Sequence, residues 1–220
     1  TCVTIPVPLD HESEGDNRTL DIEFAIHLAT GTYRGTMFYF VGGPGQAGVP
    51  FGSAAMTWFD PAIPEHYDVV FFDQRGTGRS SPVTGATVQD WGNPTEQAEN
   101  LAHFRADSIV RDAEHIRRTL LGADGRWSVL GQSFGGFCTL TYLSFAAEGL
   151  AAAYLTGGLA PLEATAEQVY GVTYEHARAK NDAFHAAFPT DRGRLHDVAA
   201  YLREHDVALS VQAPLFGFMG

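Results

Sequence analysis

The sequence predicts an α/β fold on a mostly parallel sheet, with a helical stretch after it. Three observations support this: continuous apolar runs end at glycine-rich loops, strand and helix patterns alternate in the middle, and strand patterns stop near residue 156. The 220 residues are 45% hydrophobic and 18% charged, which is typical of a folded protein. We assign residues 1–160 to the N-terminal part of the α/β core and 161–220 to the start of a helical cap.

The first third of the chain has strand patterns. Residues 1–8 are rich in β-branched side chains, and residues 20–28 alternate apolar with polar or small side chains, as in a half-buried strand. The runs 37–41 and 67–72 are continuously apolar and stop at glycine or polar loops. Such runs are typical of strands covered on both faces, as in parallel sheets.

The middle of the chain alternates helix and strand, and the last part is helical. Asp107 or Ser108 is a candidate cap for the first of these helices. The predicted order is helix 104–121, a break at 122–125, strand 127–130, helix 134–147, strand 152–156, and helices 165–188 and 192–204. Strand, helix, strand is the rhythm of an open parallel sheet. Residues 207–220 show no pattern that predicts an element.

Charge and cysteine content exclude several classes. Acidic residues number 26 against 14 basic ones, a net charge of −12, and Lys180 is the single lysine. This balance argues against nucleic acid or anionic lipid as a partner. No apolar run approaches the roughly 20 residues of a membrane helix. We expect the cytoplasm, with secretion as the open alternative because the chain begins with Thr1 rather than Met.

Metal and cofactor sites are also not expected. Cys2 and Cys138 are too few for a disulfide framework or a four-thiolate zinc site, and the sequence leaves open whether they pair. No His, Asp or Glu cluster has ligand spacing. No feature predicts an oligomeric state.

The strongest chemical motif is Gly131-Gln132-Ser133-Phe134-Gly135. It follows a predicted strand and opens a predicted helix, the context in which G-x-S-x-G presents a nucleophilic serine. Gly131 and Gly135 would remove collisions in a turn this tight. The alternative is an ordinary strand-to-helix turn with an incidental serine. We predict that Ser133 is the nucleophile and that the Phe134 N–H helps to hold an oxyanion.

A second motif, Gly42-Gly43-Pro44-Gly45, ends an earlier strand. An acyl-transfer site needs a second N–H donor from such a neighbouring loop, and the Gly43 N–H is our candidate because Pro44 has none. A simple glycine-rich turn is the alternative. Gly43, Gly45 and Gly48 also match a dinucleotide fingerprint, but a proline interrupts it and residues 46–55 do not predict a convincing amphipathic helix.

A third motif follows the next strand: Asp73-Gln74-Arg75-Gly76-Thr77-Gly78-Arg79-Ser80. Charges this close to a strand end usually brace loops through ion pairs and hydrogen bonds. We predict that this segment holds the glycine loop in place rather than taking part in the chemistry.

The three motifs, in this order and spacing, resemble those of proline iminopeptidases (prolyl aminopeptidases), members of the α/β-hydrolase superfamily. Related tripeptidyl aminopeptidases share them. The resemblance covers roughly residues 1–160, and residues 157–159 with the helices after them resemble the family's entry into its cap. One departure is Val41, where the family usually has His; we expect it to alter loop support more than the N–H donors.

The resemblance implies a Ser, then Asp or Glu, then His order along the chain, and no partner of Ser133 is evident. Histidines before Ser133 are in the wrong order (His11, His27, His66, His103, His115). Those after it are expected on solvated helix faces (His176, His185, His196, His205), as are Asp182, Asp191, Asp197 and Asp206. We therefore expect that the chain is incomplete and that the triad Asp and His lie beyond Gly220. Acidic cap residues bind the substrate's amino group in the family, and Glu163, Glu167 and Glu175 are candidates by location only.

The favoured function is a serine aminopeptidase that hydrolyses the first peptide bond of a peptide with a free N-terminus, releasing proline through an acyl-enzyme on Ser133. The alternatives are an esterase-type serine hydrolase of small acyl substrates and a non-catalytic binding domain of the same fold. Without the base, residues 1–220 alone are expected to show little or no peptidase activity.

Overall fold

The computed structural model describes residues 2–13, 15–57, 59–157, 164–205 and 207. The strands are β1 Cys2–Pro8, β2 Thr19–His27, β3 Gly35–Phe40, β4 Tyr67–Phe72, β5 Trp127–Gln132 and β6 Leu150–Thr156. The helices are α1 Gly48–Ala55, α2 Ala62–His66, α3 Gly85–Asp90, α4 Pro94–Ala102, α5 Ala106–Leu121, α6 Phe134–Phe145, α7 Ala166–Ala187 and α8 Asp191–Glu204. A short 3₁₀ turn, Ala147–Gly149, precedes β6.

The described strands form one sheet in the order β1-β2-β4-β3-β5-β6. β3, β4, β5 and β6 run parallel, and β1 and β2 add an antiparallel edge. This mixed sheet with flanking helices confirms the predicted fold class. Because β4, β3 and β5 are adjacent and parallel, the loops after them meet at one edge of the sheet.

Both faces of the central strands are covered. Phe38, Phe40, Val70 and Phe72 point into the larger core, which α5 and α6 cover. The alternating residues of the same strands form a smaller core on the other face, with α1 and α2 against it (Tyr39, Val69, Phe71). The continuous apolar runs in the sequence are therefore explained by burial on both sides.

One expectation about a helix start is wrong, and one helix was not predicted. The N-cap of α5 is Arg105, with no side-chain capping bond, so Asp107 and Ser108 lie inside the first turn. An acidic residue there interacts favourably with the helix dipole instead. Residues 46–55 also contain a helix, α1, which the sequence pattern did not predict.

Helix α1 forms because of its neighbours rather than its own pattern. The Val49 N–H donates to Asp73 Oδ1 at 2.8 Å, which satisfies an amide of the first turn. A Cβ atom on Gly48 would lie 2.0 Å from the Phe72 carbonyl oxygen, and one on Gly52 would lie 2.6 Å from the Phe71 ring. The absence of side chains at these glycines therefore lets α1 pack closely on β4.

The chain divides into two compact units, Thr1–Leu159 and Ala160–Gly220. The first contains the sheet and α1–α6, and the second contains α7 and α8. Among the described residues, no helix is both long and apolar enough to span a bilayer.

Candidate active site

Ser133 lies at a strained turn between β5 and α6. Its backbone has φ 56° and ψ −119°, a conformation that non-glycine residues seldom adopt. The Ser133 N–H donates to the Thr156 carbonyl at 2.9 Å, which ties the turn to the end of β6. The residue is exposed. Such strain is costly and is concentrated at functional sites, where the surrounding structure enforces it.

The glycines on either side of Ser133 are required by space. A Cβ atom at Gly131 would lie 2.1 Å from the Gly135 carbonyl oxygen, and one at Gly135 would lie 2.0 Å from the Phe40 carbonyl oxygen. These contacts are with backbone atoms, which cannot move aside as a flexible side chain can. The predicted steric role of both glycines is therefore confirmed.

The first turn of α6 faces the site with its positive end. The Ser133 carbonyl accepts hydrogen bonds from the Gly136 and Phe137 N–H groups at 2.9 and 3.3 Å. Phe134 is the first residue of the helix, so its own N–H has no partner inside the helix. This leaves the Phe134 N–H available for an anion at the turn.

The glycine loop lies beside Ser133 because β3 and β5 are adjacent, with Phe40 paired to Gly131. A Cβ atom on Gly42 would lie 3.1 Å from Ser133 Cβ and 3.0 Å from the Gln132 carbonyl oxygen. Gly43 follows with φ 122°, a region that favours glycine, and is exposed. The structure thus brings Ser133, Phe134 and Gly43 to one edge of the sheet.

Buried polar side chains after β4 hold both ends of the glycine loop. Gln74 Nε2 donates to the Val41 carbonyl at 3.2 Å, just before the loop. Asp73 accepts from the Val49 N–H after the loop and from the Arg79 N–H at 2.9 Å. Asp73 and Gln74 are each 1% exposed. These contacts give the segment the bracing role that the sequence suggested.

Arg75 anchors the same segment to the rest of the core. Its guanidinium forms a two-point ion pair with Asp112 of α5, with Nε–Oδ2 at 2.7 Å and Nη2–Oδ1 at 2.6 Å. It also donates to the carbonyl oxygens of Pro8, Leu9 and His103. Both charged side chains are fully buried, so removing either one would leave an unpaired charge.

Within the described residues of the first unit, none hydrogen-bonds to Ser133 Oγ, so that unit shows no base paired with the hydroxyl. The histidines make other contacts: His11 pairs with Asp112 at 2.8 Å, and His66 Nδ1 lies 3.0 Å from the Thr32 carbonyl. Burial lowers the pKa of His27, which packs edge-on against Phe71.

The histidines after Ser133 lie on α7, on α8 or, for His205, directly after α8. As predicted, His176, His196 and His205 are exposed. His185 departs from the prediction: it is half-buried against Phe184, and its Nδ1 has no described partner. Of the candidate amine-binding acids, Glu167 and Glu175 are exposed on α7, whereas Glu163, like Asp206, lies outside the described residues.

The remaining candidates for chemistry are the two cysteines and a metal centre. Both cysteines are free, and burial raises the pKa of the Cys138 thiol to about 12, so it is not a thiolate at neutral pH. Within the described ranges, no group of three or more His, Cys, Asp or Glu side chains could hold a metal ion.

One contact was missed at the sequence level. Gly157, with φ 82°, follows β6, and a Cβ atom there would lie 3.1 Å from the Ser133 amide nitrogen. The Gly157-Gly158 pair was noted only as part of the resemblance, because its proximity to Ser133 depends on the pairing of β5 with β6.

A family model matches the part of the chain that contains all three motifs. The family model described as the α/β hydrolase fold matches residues 36–213. A protein named proline iminopeptidase from Aeromonas sobria is 45% identical over 207 residues, covering 92% of this chain and 48% of that protein. Another protein named proline iminopeptidase, from Aspergillus aculeatus, is 35% identical over 212 residues, which cover 93% of this chain and 47% of that protein.

A more distant relative is a tripeptidyl aminopeptidase from Streptomyces coelicolor. It is 25% identical over 175 residues, which cover 64% of this chain and 32% of that protein. The chain spans about half the length of the two proline iminopeptidases.

Proposed function

The chain belongs to the α/β-hydrolase fold family, and from this premise we propose that it carries the nucleophile and oxyanion hole of a serine aminopeptidase. Its sequence relatives include proline iminopeptidases. The observation that carries the proposal is the exposed Ser133 in a strained backbone conformation, with Gly42 packed against its Cβ atom. The proposed substrate is a peptide with a free N-terminus, and the proposed product is N-terminal proline.

The proposed mechanism is acyl transfer. Ser133 Oγ attacks the carbonyl carbon of the first peptide bond, and its proton passes to a base outside the described residues. The Gly43 and Phe134 N–H groups donate to the oxyanion of the tetrahedral intermediate. The amine leaves with a proton, and water then hydrolyses the ester on Ser133. Glu167 and Glu175 stay candidates for binding the substrate's ammonium group, as does Glu163.

The test is covalent labelling of the intact protein with a fluorophosphonate, followed by intact mass measurement. One adduct is expected, and Ser133→Ala should abolish it. Ser144→Ala is a matched control because Ser144 is an exposed serine of the same helix, and it should leave the labelling unchanged. Labelling that persists in Ser133→Ala, or none in the wild-type protein, would remove the nucleophile assignment.

Substrate assays separate the peptidase from an esterase. Proline β-naphthylamide and p-nitrophenyl acetate should be compared by kcat/KM on the intact protein. A clear preference for the proline substrate supports the aminopeptidase. Hydrolysis of the acetate ester alone would favour the esterase, and labelling without turnover of either would favour a binding domain.

A further inference from the structure

An open cavity of about 240 Å³ lies beside the glycine loop in the first unit. Pro44 and Gly45 of the loop line one side of it, together with Phe134. Phe134 also supplies one proposed oxyanion N–H, and Gly43 is the neighbour of Pro44. A group in this cavity would therefore lie next to the carbonyl that Ser133 attacks.

The far wall of the cavity is apolar. It is formed by three side chains that come from the segment after β4 and from the start of α5: Val83, Phe104 and Ile109. Phe104 is held by stacking against Trp91, with ring centroids 5.8 Å apart. Ile109 is 3% exposed and belongs to the main core. The wall is thus a packed surface rather than a loose loop.

The polar side chains of the wall are already engaged. All five N–H groups of Arg75 have acceptors, Gln74 Nε2 donates to Val41, and Thr77 Oγ1 donates to the Gln74 carbonyl at 2.7 Å. A charged group that enters the cavity would lose water without gaining a side-chain partner from the wall. An apolar group faces no such cost, so the wall favours an apolar occupant.

The hydrogen bonds of these side chains also indicate which part of the substrate the cavity accepts. The leaving amine must receive a proton as the bond breaks. Neither Arg75 nor Thr77 has a proton to give, because their donors are committed to buried acceptors. The wall itself thus offers no proton to a leaving amine, which favours the acyl part of the substrate as the occupant of this cavity.

We propose that this cavity is the acyl-side subsite, and that it takes a large apolar side chain of the residue whose carbonyl Ser133 attacks. The inference rests on the proposed function and extends the substrate class from proline to residues such as phenylalanine. Its size permits this, because apolar protein cavities of roughly 150 Å³ hold benzene.

The first test compares phenylalanine and alanine p-nitroanilides on the intact protein. The wild type should prefer phenylalanine by about 10-fold or more in kcat/KM, as expected for added apolar groups in a pocket. Val83→Phe should fill the cavity and bring the ratio close to 1. Val88→Phe is the matched control, since Val88 is a half-buried valine outside the cavity wall, and it should keep the wild-type ratio.

Two further measurements test the same cavity without relying on Val83→Phe kinetics. Val83→Ala only removes atoms, and it should raise kcat/KM for 2-naphthylalanine p-nitroanilide by about 3- to 10-fold. Toluene binding to Ser133→Ala, followed by ligand-observed NMR, reports on the cavity without any chemistry. Adding Val83→Phe should abolish that binding, whereas adding Val88→Phe should not.

The outcomes distinguish failure of the subsite proposal from failure of the proposed function. If a methyl fluorophosphonate fails to label Ser133 while toluene still distinguishes the two Val→Phe variants, the nucleophile assignment fails and the cavity proposal stands. Equal rates for both p-nitroanilides in a protein that is labelled at Ser133, or identical behaviour of Val83→Phe and Val88→Phe, would overturn the subsite.

Discussion

At the scale of single residues, the site depends on two glycines that have no side chain. The turn at Ser133 exists because Gly131 and Gly135 leave room for backbone atoms of neighbouring segments. The Ser133 backbone itself is strained, so the surrounding contacts must enforce it. The chemistry of the hydroxyl is thus tied to the packing of the glycines beside it.

Gly135→Ala should destabilise the protein by about 3 kcal/mol or more, because overpacking against backbone cannot relax cheaply. The measurement is the free energy of unfolding in urea. Gly85→Ala serves as the control, since a Cβ atom there meets nothing within 4 Å. Equal unfolding free energies for both variants would show that the turn can shift to accept a side chain.

At the scale of elements, the loop between β3 and α1 is held in position by side chains that follow β4. Gln74 holds the carbonyl before the loop, and Asp73 holds the first turn of α1 after it. The proposed Gly43 donor lies between these two fixed points. Its direction therefore depends on two buried side chains that lie outside the loop.

Gln74→Leu should lower kcat by about 10- to 100-fold, because small misplacements of an oxyanion donor are costly to the transition state. KM should change by less than about 3-fold, since ground-state contacts are kept. Steady-state kinetics with proline β-naphthylamide on the intact protein give both values. Gln89→Leu, an exposed glutamine on α3, should alter neither. A rise in KM at constant kcat would instead assign Gln74 to substrate binding.

A second network joins α5, α6 and β5. Glu114 is 8% exposed and receives hydrogen bonds from Arg117 Nε at 2.7 Å and from the Tyr142 hydroxyl. Trp127 Nε1 donates to the same hydroxyl at 3.0 Å. Burial alone would raise the pKa of Glu114, but the hydrogen bonds from Arg117 and Tyr142 hold it below its ordinary value. Burial also raises the pKa of Tyr142.

Glu114→Gln should cost about 3 kcal/mol at pH 7, because the buried Arg117 loses its charge partner. The lowered pKa of Glu114 stabilises the fold above the ordinary value of about 4.5, and this contribution is lost as the pH falls through the lowered value. Urea unfolding between pH 3 and pH 7 should therefore show that the free energy of unfolding falls less on acidification in Glu114→Gln than in wild type. The exposed Glu99→Gln is the control. Parallel pH profiles for Glu114→Gln and wild type would contradict the linkage.

At the scale of the whole molecule, the proposed nucleophile Ser133 lies near its proposed oxyanion donors, and no described residue of the first unit hydrogen-bonds to its hydroxyl as a base would. Residues 1–220 alone should therefore show little or no peptidase activity, because losing the base leaves only residual catalysis. The measurement is hydrolysis of proline β-naphthylamide by purified residues 1–220, with Ser133→Ala for comparison. Robust turnover that disappears in Ser133→Ala would mean that a base lies within these residues after all.

The sequence by itself predicted the parallel strands and the nucleophile turn, because both depend on local patterns. Apolar runs bounded by glycine identify strands such as β4, and G-x-S-x-G between a strand and a helix identifies Ser133. Helix α4 also had a readable signal, since Asn93, Pro94 and Glu96 form a capping box with proline in the first turn, but it was not recognised.

Only the tertiary structure decided the rest. Helix α1 forms through Asp73 and its packing on β4, and the support of the glycine loop by Gln74 depends on two strands being neighbours. The cavity behind Phe134 likewise joins segments that are far apart in the chain. Local patterns report how a segment is buried, whereas contacts between distant segments depend on strand order, which periodicity does not encode.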